Sequence, residues 1–449
     1  MNIFKDKAIA FLNSYYYPVL LFFVALISHT FSIEMFGASV IILTGCLGLI
    51  LCNDLKFLIS PVIMFILMFS EKSVSSGMYY ETPYKVAMVI VGAVVASVFV
   101  AHFIIHKRDV NFKSFLKSKL FWGYIALCSS FLLNGLFNFD EYIVYNIIYA
   151  IILCVTLGLV FFLFYSNLNC TQDIKKYLFF VLFLVSMLVT LELFIGFSGQ
   201  IRIENGEIVK ESIMLGWGMW NNIGGMMAFL LPIHFYFAST VKKYGWVFYL
   251  TAIISYLAIV LTLSRSSLLV STLMIVASAL ISCFKGENKK ANRIMTGAVC
   301  LIGIIGIIVL WDKISSILGD YLARGFDDNG RFEMYEHGIK NFLANPIFGG
   351  GFYSAYVLEH QFISFLPFRY HNTIIQMLGT CGIVGISAYL FHRYQTIRLA
   401  WKKRSFYTLF ACLAILSMLL CSLLDNHFFN LYPTMIYSII LVVIEKTEV

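Results

Sequence analysis

Residues 143–166 read IVYNIIYAIILCVTLGLVFFLFYS, twenty-four positions without one charged side chain. A helix rises 1.5 Å per residue and the hydrocarbon core of a bilayer is about 30 Å thick, so about 20 such residues cross it. A buried strand is shorter than this, and a soluble helix of this length carries a polar face. The stretch therefore reads as a transmembrane helix.

The rest of the chain has the same character. Of its 449 residues 60% are apolar and only 12% charged, with a mean hydropathy of +0.85, where a soluble protein has about a quarter of its residues charged. Disorder is excluded by this composition, and 30 Gly, 7 Pro and 10 Cys exclude a collagen-like or disulfide-rich chain. Polar breaks give about fourteen apolar segments, at 13–32, 36–52, 57–70, 86–106, 120–138, 143–166, 177–198, 221–240, 247–263, 266–284, 294–311, 371–391, 406–424 and 431–445. The expected fold is all-α, a polytopic integral membrane protein of about 14 transmembrane helices forming a single transmembrane domain over 1–449. The basic start, Lys5 and Lys7 before the first apolar run, lacks a small-residue cleavage site and reads as a retained helix.

Basic residues resist transfer across the membrane during insertion. With both termini cytoplasmic, 22 of the 32 Lys and Arg fall in inner loops, Arg393 among them, and most acids fall outside. The net charge of +8 is thus a topological signature and gives no ground for a nucleic-acid partner. The cysteines show no metal-ligand spacing and read as buried thiols, apart from Cys170 in a polar loop.

Two outer segments are long enough to carry chemistry, Gln200 to Trp220 and residues 312–370, the large external loop between spans 11 and 12. Leu263-Ser264-Arg265-Ser266 places an arginine at the outer boundary between two apolar helices, where an ionised group is costly unless solvated or paired. In the large loop, helical spacing predicts an amphipathic helix over 312–322, ending near Arg324, then a turn at Asp327-Asp328-Asn329-Gly330. A second amphipathic helix begins at Arg331, with Phe332, Tyr335, Ile339, Phe342 and Leu343 as its apolar face. Arg331 in the first turn would sit where unpaired N–H groups and the helix dipole also favour an anion. Asn345-Pro346 stops that helix, and Gly349-Gly350-Gly351 allows a sharp turn or a close approach to a ligand. Phe368-Arg369-Tyr370-His371-Asn372 then puts a histidine, the natural base at neutral pH, at the outer mouth of span 12. Lys85, at the outer start of span 4, is a further basic candidate.

These pieces resemble the O-antigen ligase and polymerase superfamily of membrane enzymes. The resemblance rests on Leu263-Ser264-Arg265-Ser266, on Gly330-Arg331-Phe332-Glu333-Met334-Tyr335 leading to Asn345-Pro346-Ile347-Phe348-Gly349-Gly350-Gly351, on His371-Asn372 followed by Gly382-Ile383-Val384-Gly385, and on Trp220-Asn221-Asn222-Ile223-Gly224-Gly225. It covers chiefly residues 216–390. It implies a GT-C-like helical fold in the bacterial cytoplasmic (inner) membrane and a metal-independent, inverting glycosyltransferase active on the outer, periplasmic or extracellular face. The donor would be an undecaprenyl-diphosphate-linked glycan and the acceptor a glycan or lipid-linked glycan, with a chain-length regulator as a partner and no cofactor. By the same resemblance His371 would be the catalytic base, and Arg265 and Arg331 would hold the diphosphate, with Arg324, Arg369 and Lys85 as candidates of lower weight.

A polymerase of repeat units is the leading expectation, because the loop shows no added soluble domain. An O-antigen ligase, which moves finished glycan to lipid A core or another acceptor, has the same motifs. A polysaccharide flippase or transporter would want charged groups near the bilayer midplane, whereas the most membrane-proximal acids here are Glu192 and Asp425, near span ends.

Overall fold

The computed structural model describes residues 2–70, 72, 82–106, 115–138, 144–169, 173–199, 201–204, 207–309, 311, 315, 330–353 and 370–447. They form an all-helical membrane protein. In chain order the α-helices are α1 Asn2–Leu12, α2 Tyr16–Phe31, α3 Glu34–Leu51, α4 Ile59–Met64, α5 Thr82–Ile105, α6 Phe121–Leu132, α7 Val144–Asn167 with a π-turn at Val155–Leu159, α8 Asp173–Phe197, α9 Trp220–Thr240, α10 Gly245–Leu261, α11 Arg265–Phe284, α12 Lys289–Val309, α13 Arg331–Ala344, α14 Thr373–Lys402, α15 Phe406–Leu424 and α16 Leu431–Lys446.

Among the described residues nine helices are long and apolar enough to cross a membrane, or ten if the bent pair α1 and α2 is one span. The other expected segments are helical but shorter. The segment at 57–70 forms α4 flanked by 3-10 turns over Leu55–Met68, and α10 has 17 residues. The segment at 120–138 stops at Leu132, because Gly135 and Phe137 enter the left-handed region at φ 63° and 80° and the Gly135 N–H turns to the Phe348 carbonyl. Among the described residues the apolar segments thus outnumber the helices of full spanning length.

Helix α9 is the axis of the bundle, packed against α8, α10, α11 and α15. It is almost wholly buried by its neighbours, yet it is the least apolar of the nine. The two facts go together: a helix screened from lipid by protein can carry polar groups, provided they are paired. On α9, His234 bonds Thr251 Oγ1 at 3.0 Å and Ser186 Oγ at 2.8 Å, and its neighbours α8 and α10 pair Thr190 with Ser255 at 3.1 Å. By contrast α5 and α12 have windows only 6% buried and turn nearly all their apolar surface outward, the distribution expected of helices solvated by lipid. Cys300 on α12 is exposed, against the expectation that the cysteines are buried thiols.

Helix α14 runs eleven residues past the span expected at 371–391 and is broken at Gly382, at φ 64° and ψ −156°. Segment 346–351 docks into that break: Ile383 and Val384 donate to the carbonyls of Pro346 and Ile347, and Gly350 and Gly351 donate to those of Gly379 and Thr380. A side chain at Gly349 would collide with the Thr380 carbonyl group, and one at Gly382 with that of Ile347. Gly349 and Gly382 thus serve a close approach of backbone to backbone, while Gly351 faces the side chains of Asn146 and Asn134.

The extension of α14 also corrects the reading of Arg393 as a loop residue. It lies inside the bundle, donating Nη1–H to the Tyr437 hydroxyl at 2.8 Å, with its guanidinium over the rings of Phe428, Tyr389 and Tyr437 at 4.4, 4.7 and 4.9 Å. Three aromatic faces stabilise a cation that water does not reach.

Candidate functional site

The site lies where α9, α11, α13 and α14 begin and α15 ends. Asn372 caps α14: its Oδ1 accepts from the N–H groups of Ile374 and Ile375 at 2.9 and 3.2 Å. Its Nδ2 donates to the Leu423 carbonyl in the last turn of α15. One side chain thus fixes the start of α14 beside the end of α15. The residues flanking these two ends are His371 and Asp425, and His371 Nδ1 meets Asp425 Oδ1 at 2.8 Å. His371 adopts the left-handed conformation, φ 50°, which a non-glycine residue holds only where its surroundings enforce it.

Burial raises the Asp425 pKa, but the hydrogen bond and charge of His371, with the charges of His427 and Arg331, outweigh it and hold the carboxyl well below the usual carboxylate range. An ionised carboxylate can only accept. The bonded Nδ1 therefore carries a proton in either charge state of the ring, and Nε2 is the nitrogen that can exchange one.

Arg265 opens α11. The turn before it is set by Leu263, left-handed at φ 53°, and by Ser264, whose hydroxyl donates to Asn221 Oδ1 of α9 at 2.9 Å and shares a hydrogen bond with Ser267 at 2.9 Å. The Arg265 side chain is exposed. Arg331 opens α13 after Gly330, which is left-handed at φ 73°. Both arginines sit on first helical turns, where free N–H groups add to the positive potential.

Helix α13 rests on α14 through Met334 and Gly338, the latter against Ile375 and Tyr370, and Asn341 donates to the Tyr370 hydroxyl at 2.6 Å. The face expected to be apolar turns away from the bundle, with Phe332, Ile339 and Leu343 all exposed. A different, smaller face makes the protein contact.

The segment before α9 supplies two groups that sequence reasoning passed over. It folds into two short hairpins, Ile203–Glu204 with Glu207–Ile208 and Met214–Leu215 with Gly218–Met219, joined by a 3-10 turn at Lys210–Ser212. Trp217 at the second hairpin donates Nε1–H to the buried Glu192 at 3.1 Å. Lys210 is half-buried, with Nζ 5.5 Å from the centre of the Trp220 ring. Its pKa is lowered by burial and by the charges of Arg265 and Arg331, against the raising effect of Glu211 and Asp425. Lys210, Arg265, Arg331 and the His371–Asp425 pair thus share one electrostatic neighbourhood, drawn from segments spread over more than two hundred residues.

Amide side chains join the same helix ends. Asn430 Nδ2 donates to Asn222 Oδ1 at 3.1 Å, Asn426 Nδ2 donates to Gln376 Oε1 at 2.8 Å, and Gln376 Oε1 also accepts from the Tyr370 N–H. His427 lies against Gly225 of α9 so closely that no side chain would fit there. Of the remaining candidates, Arg324 and Arg369 lie outside the described residues, as do the helix expected at 312–322, Asp327-Asp328 and Cys170. Lys85 falls in the first turn of α5, and its side chain is likewise outside them. Among the described residues no group of three or more His, Cys, Asp and Glu could hold a metal ion.

Taken together, the fold and site define an integral membrane protein with basic residues and a His–Asp pair gathered at one end of a helical bundle. Residues 250–390 match the family model described as O-antigen ligase, consistent with the O-antigen ligase and polymerase superfamily. Residues 250–390 are thus similar to a family whose members are enzymes that act on glycans. The matched segment includes Arg265, Arg331 and His371; Lys210 and Asp425 lie outside it. No curated protein matches the chain.

Proposed function

We propose that the protein is a polysaccharide polymerase of the cell envelope, which transfers a growing glycan from undecaprenyl diphosphate to the next lipid-linked repeat unit on the outer face of the cytoplasmic membrane. The observation that carries this reading is the ionised Asp425 at 2.8 Å from His371 Nδ1, held in its charged form by His371 and by the charges of His427 and Arg331.

His371 Nε2 takes the proton of the acceptor hydroxyl, and Asp425 stabilises the imidazolium that results. The freed oxygen lone pair attacks the anomeric carbon from the face opposite the diphosphate. As the new C–O bond forms, the old one breaks, its electron pair passes to the diphosphate, and the anomeric configuration inverts. Arg265 and Arg331 balance the charge gathering on the leaving group, with both helix N-termini adding to the effect. The excess of Lys and Arg in the loops on the opposite side, together with the acidic balance of the site side, supports an outer-face site with both termini inside.

Transfer of finished glycan to a lipid A core uses the same chemistry, and the family match fits it equally. The two are separated by the glycan ladder of a strain lacking the chain, complemented with wild type or His371→Ala. A polymerase predicts single repeat units at the surface and no long chains. Long chains stranded on undecaprenyl diphosphate make it a ligase, repeat units trapped inside make it a flippase, and an unchanged ladder overturns the substrate class.

A further inference from the structure

Helix α6 has 12 residues and is about 18 Å long, well short of a hydrocarbon core about 30 Å thick. It runs beside the half of α14 far from the site. Gly123 near its start donates to Gln395 Oε1 at 2.8 Å, and just past its end the Gly135 N–H meets the Phe348 carbonyl at 2.9 Å, next to the residues that touch Gly382. Residues 345–353 fill the crossing that α6 leaves unfinished. They meet α14 at residues 379–384, six to eleven residues in from its start at Thr373, or about 9 to 17 Å along a helix. The N–H groups of Gly349, Gly350, Gly351, Phe352 and Tyr353 all donate within the protein, the last two to the buried side chains of Asn134 and Asn146 at 3.1 and 3.0 Å. Irregular backbone at membrane depth requires that pairing.

Helix α13 leads down to this joint alongside α14. Its Gly338 lies against Ile375 and Gly379, and eight residues on the Pro346 carbonyl accepts from Ile383 at 2.8 Å. The surface that it presents changes on the way. The exposed charges Glu333, Glu336 and Lys340 come first, the exposed apolar Leu343 and Ile347 last, and Lys340 reaches back one turn to pair with Glu336 at 2.6 Å. A lysine whose stem lies on apolar surface turns its ammonium toward water in this way. On α14 the exposed apolar side runs through Ile383, Leu390, Tyr394 and Ile397, and nearer the site, where α13 covers α14, Leu343 and Ile347 carry it on. The apolar end of α13 is thus continuous with the side of the bundle that faces lipid.

We infer that α13 and residues 345–353 form a re-entrant element inserted into the membrane leaflet on the side of the site, with Ile339, Leu343 and Ile347 docked against the hydrocarbon chains of that leaflet's lipids. The expected external loop is then in part a membrane segment. Arg331, about 20 Å of helix away from Ala344, stands at the water end of the element. That position suits a substrate whose lipid stays in the leaflet, but the inference does not depend on the substrate proposed above.

The test uses the full chain in nanodiscs, with a dansyl amino acid placed at Leu343, at Leu390 as the lipid-facing reference and at Glu204, exposed on the first hairpin, as the water-facing one. Two quenchers are compared, lipids with a doxyl group in the acyl chain and acrylamide in water. The label at Leu343 is expected to lose most of its emission to the doxyl lipids and little to acrylamide, as at Leu390, with the reverse at Glu204. Quenching by acrylamide to the extent seen at Glu204 puts the element in water and overturns the inference. Protection from both quenchers means that protein covers the face, and overturns it as well. Leu343→Lys without a label gives a second reading: a charge facing hydrocarbon is costly, so it should melt below Leu343→Met in nanodiscs, and equal melting of the two counts against insertion.

Discussion

His371 and Asp425 stand 54 residues apart in sequence and 2.8 Å apart in space, each at a helix end that Asn372 fastens to the other. The pair makes a histidine with a defined tautomer and a carboxylate ready to stabilise its charged form, which is what a base that must take and release one proton per transfer requires.

Asp425→Asn is the sharpest test of that pairing. The amide keeps the shape of the carboxylate but removes its charge and can bond Nδ1 as a donor, favouring the wrong tautomer. Transfer should fall by about 10² to 10⁴, with normal expression and unchanged donor binding. Near wild-type turnover in the purified variant would remove Asp425 from the mechanism.

The same carboxylate makes a prediction for stability. Its folded-state pKa is depressed, so its contribution is complete above the unfolded value of about 3.9 and is lost progressively as the pH falls from there towards the lower folded value. In detergent, Asp425→Asn should therefore lose most relative to wild type near neutral pH, and the gap should narrow below about pH 4. A constant gap across melting curves at pH 3 to 7 would contradict the pairing.

Arg265→Lys should be severely impaired, because an ammonium cannot reproduce a planar two-point grip on phosphate oxygens. A kinetic titration of the donor lipid decides it: full turnover with lysine would mean that charge alone is enough.

Gly382→Ala tests the joint between segment 346–351 and α14. Alanine would have to adopt φ 64° and push against the Ile347 carbonyl. A loss of about 1 to 3 kcal/mol is expected, seen as a lower melting temperature and as faster proteolysis after Ala344. Unchanged melting would mean that the break in α14 is not held by this docking.

Much of this was legible in the sequence, because apolar length and loop charge act through the bilayer one segment at a time. Arg265 and His371 could be read for a related reason, since a charged or titratable group at the end of an apolar helix stands out against its neighbours, whereas Arg331 was read as the start of an amphipathic helix. Asp425 was visible only as an acid at a span end, since its value comes from a partner 54 residues away. Lys210 gave no signal at all, being one lysine in a polar loop until the hairpins fold it onto Trp220. Arg393 misled because a cation near a helix end normally marks the interface, and here three aromatic rings replace the water. The triple glycine left two readings open, and only the break in α14 decided for a backbone contact.

The central claim, that His371 is the base of a transfer from a lipid diphosphate, is tested most directly with the purified chain in nanodiscs and a synthetic undecaprenyl-diphosphate repeat unit, following glycan length and released undecaprenyl diphosphate together by mass spectrometry. The account predicts that wild type lengthens the glycan and releases one undecaprenyl diphosphate per unit added, and that His371→Ala binds the donor normally and does neither. Lengthening by His371→Ala at the wild-type rate would contradict it.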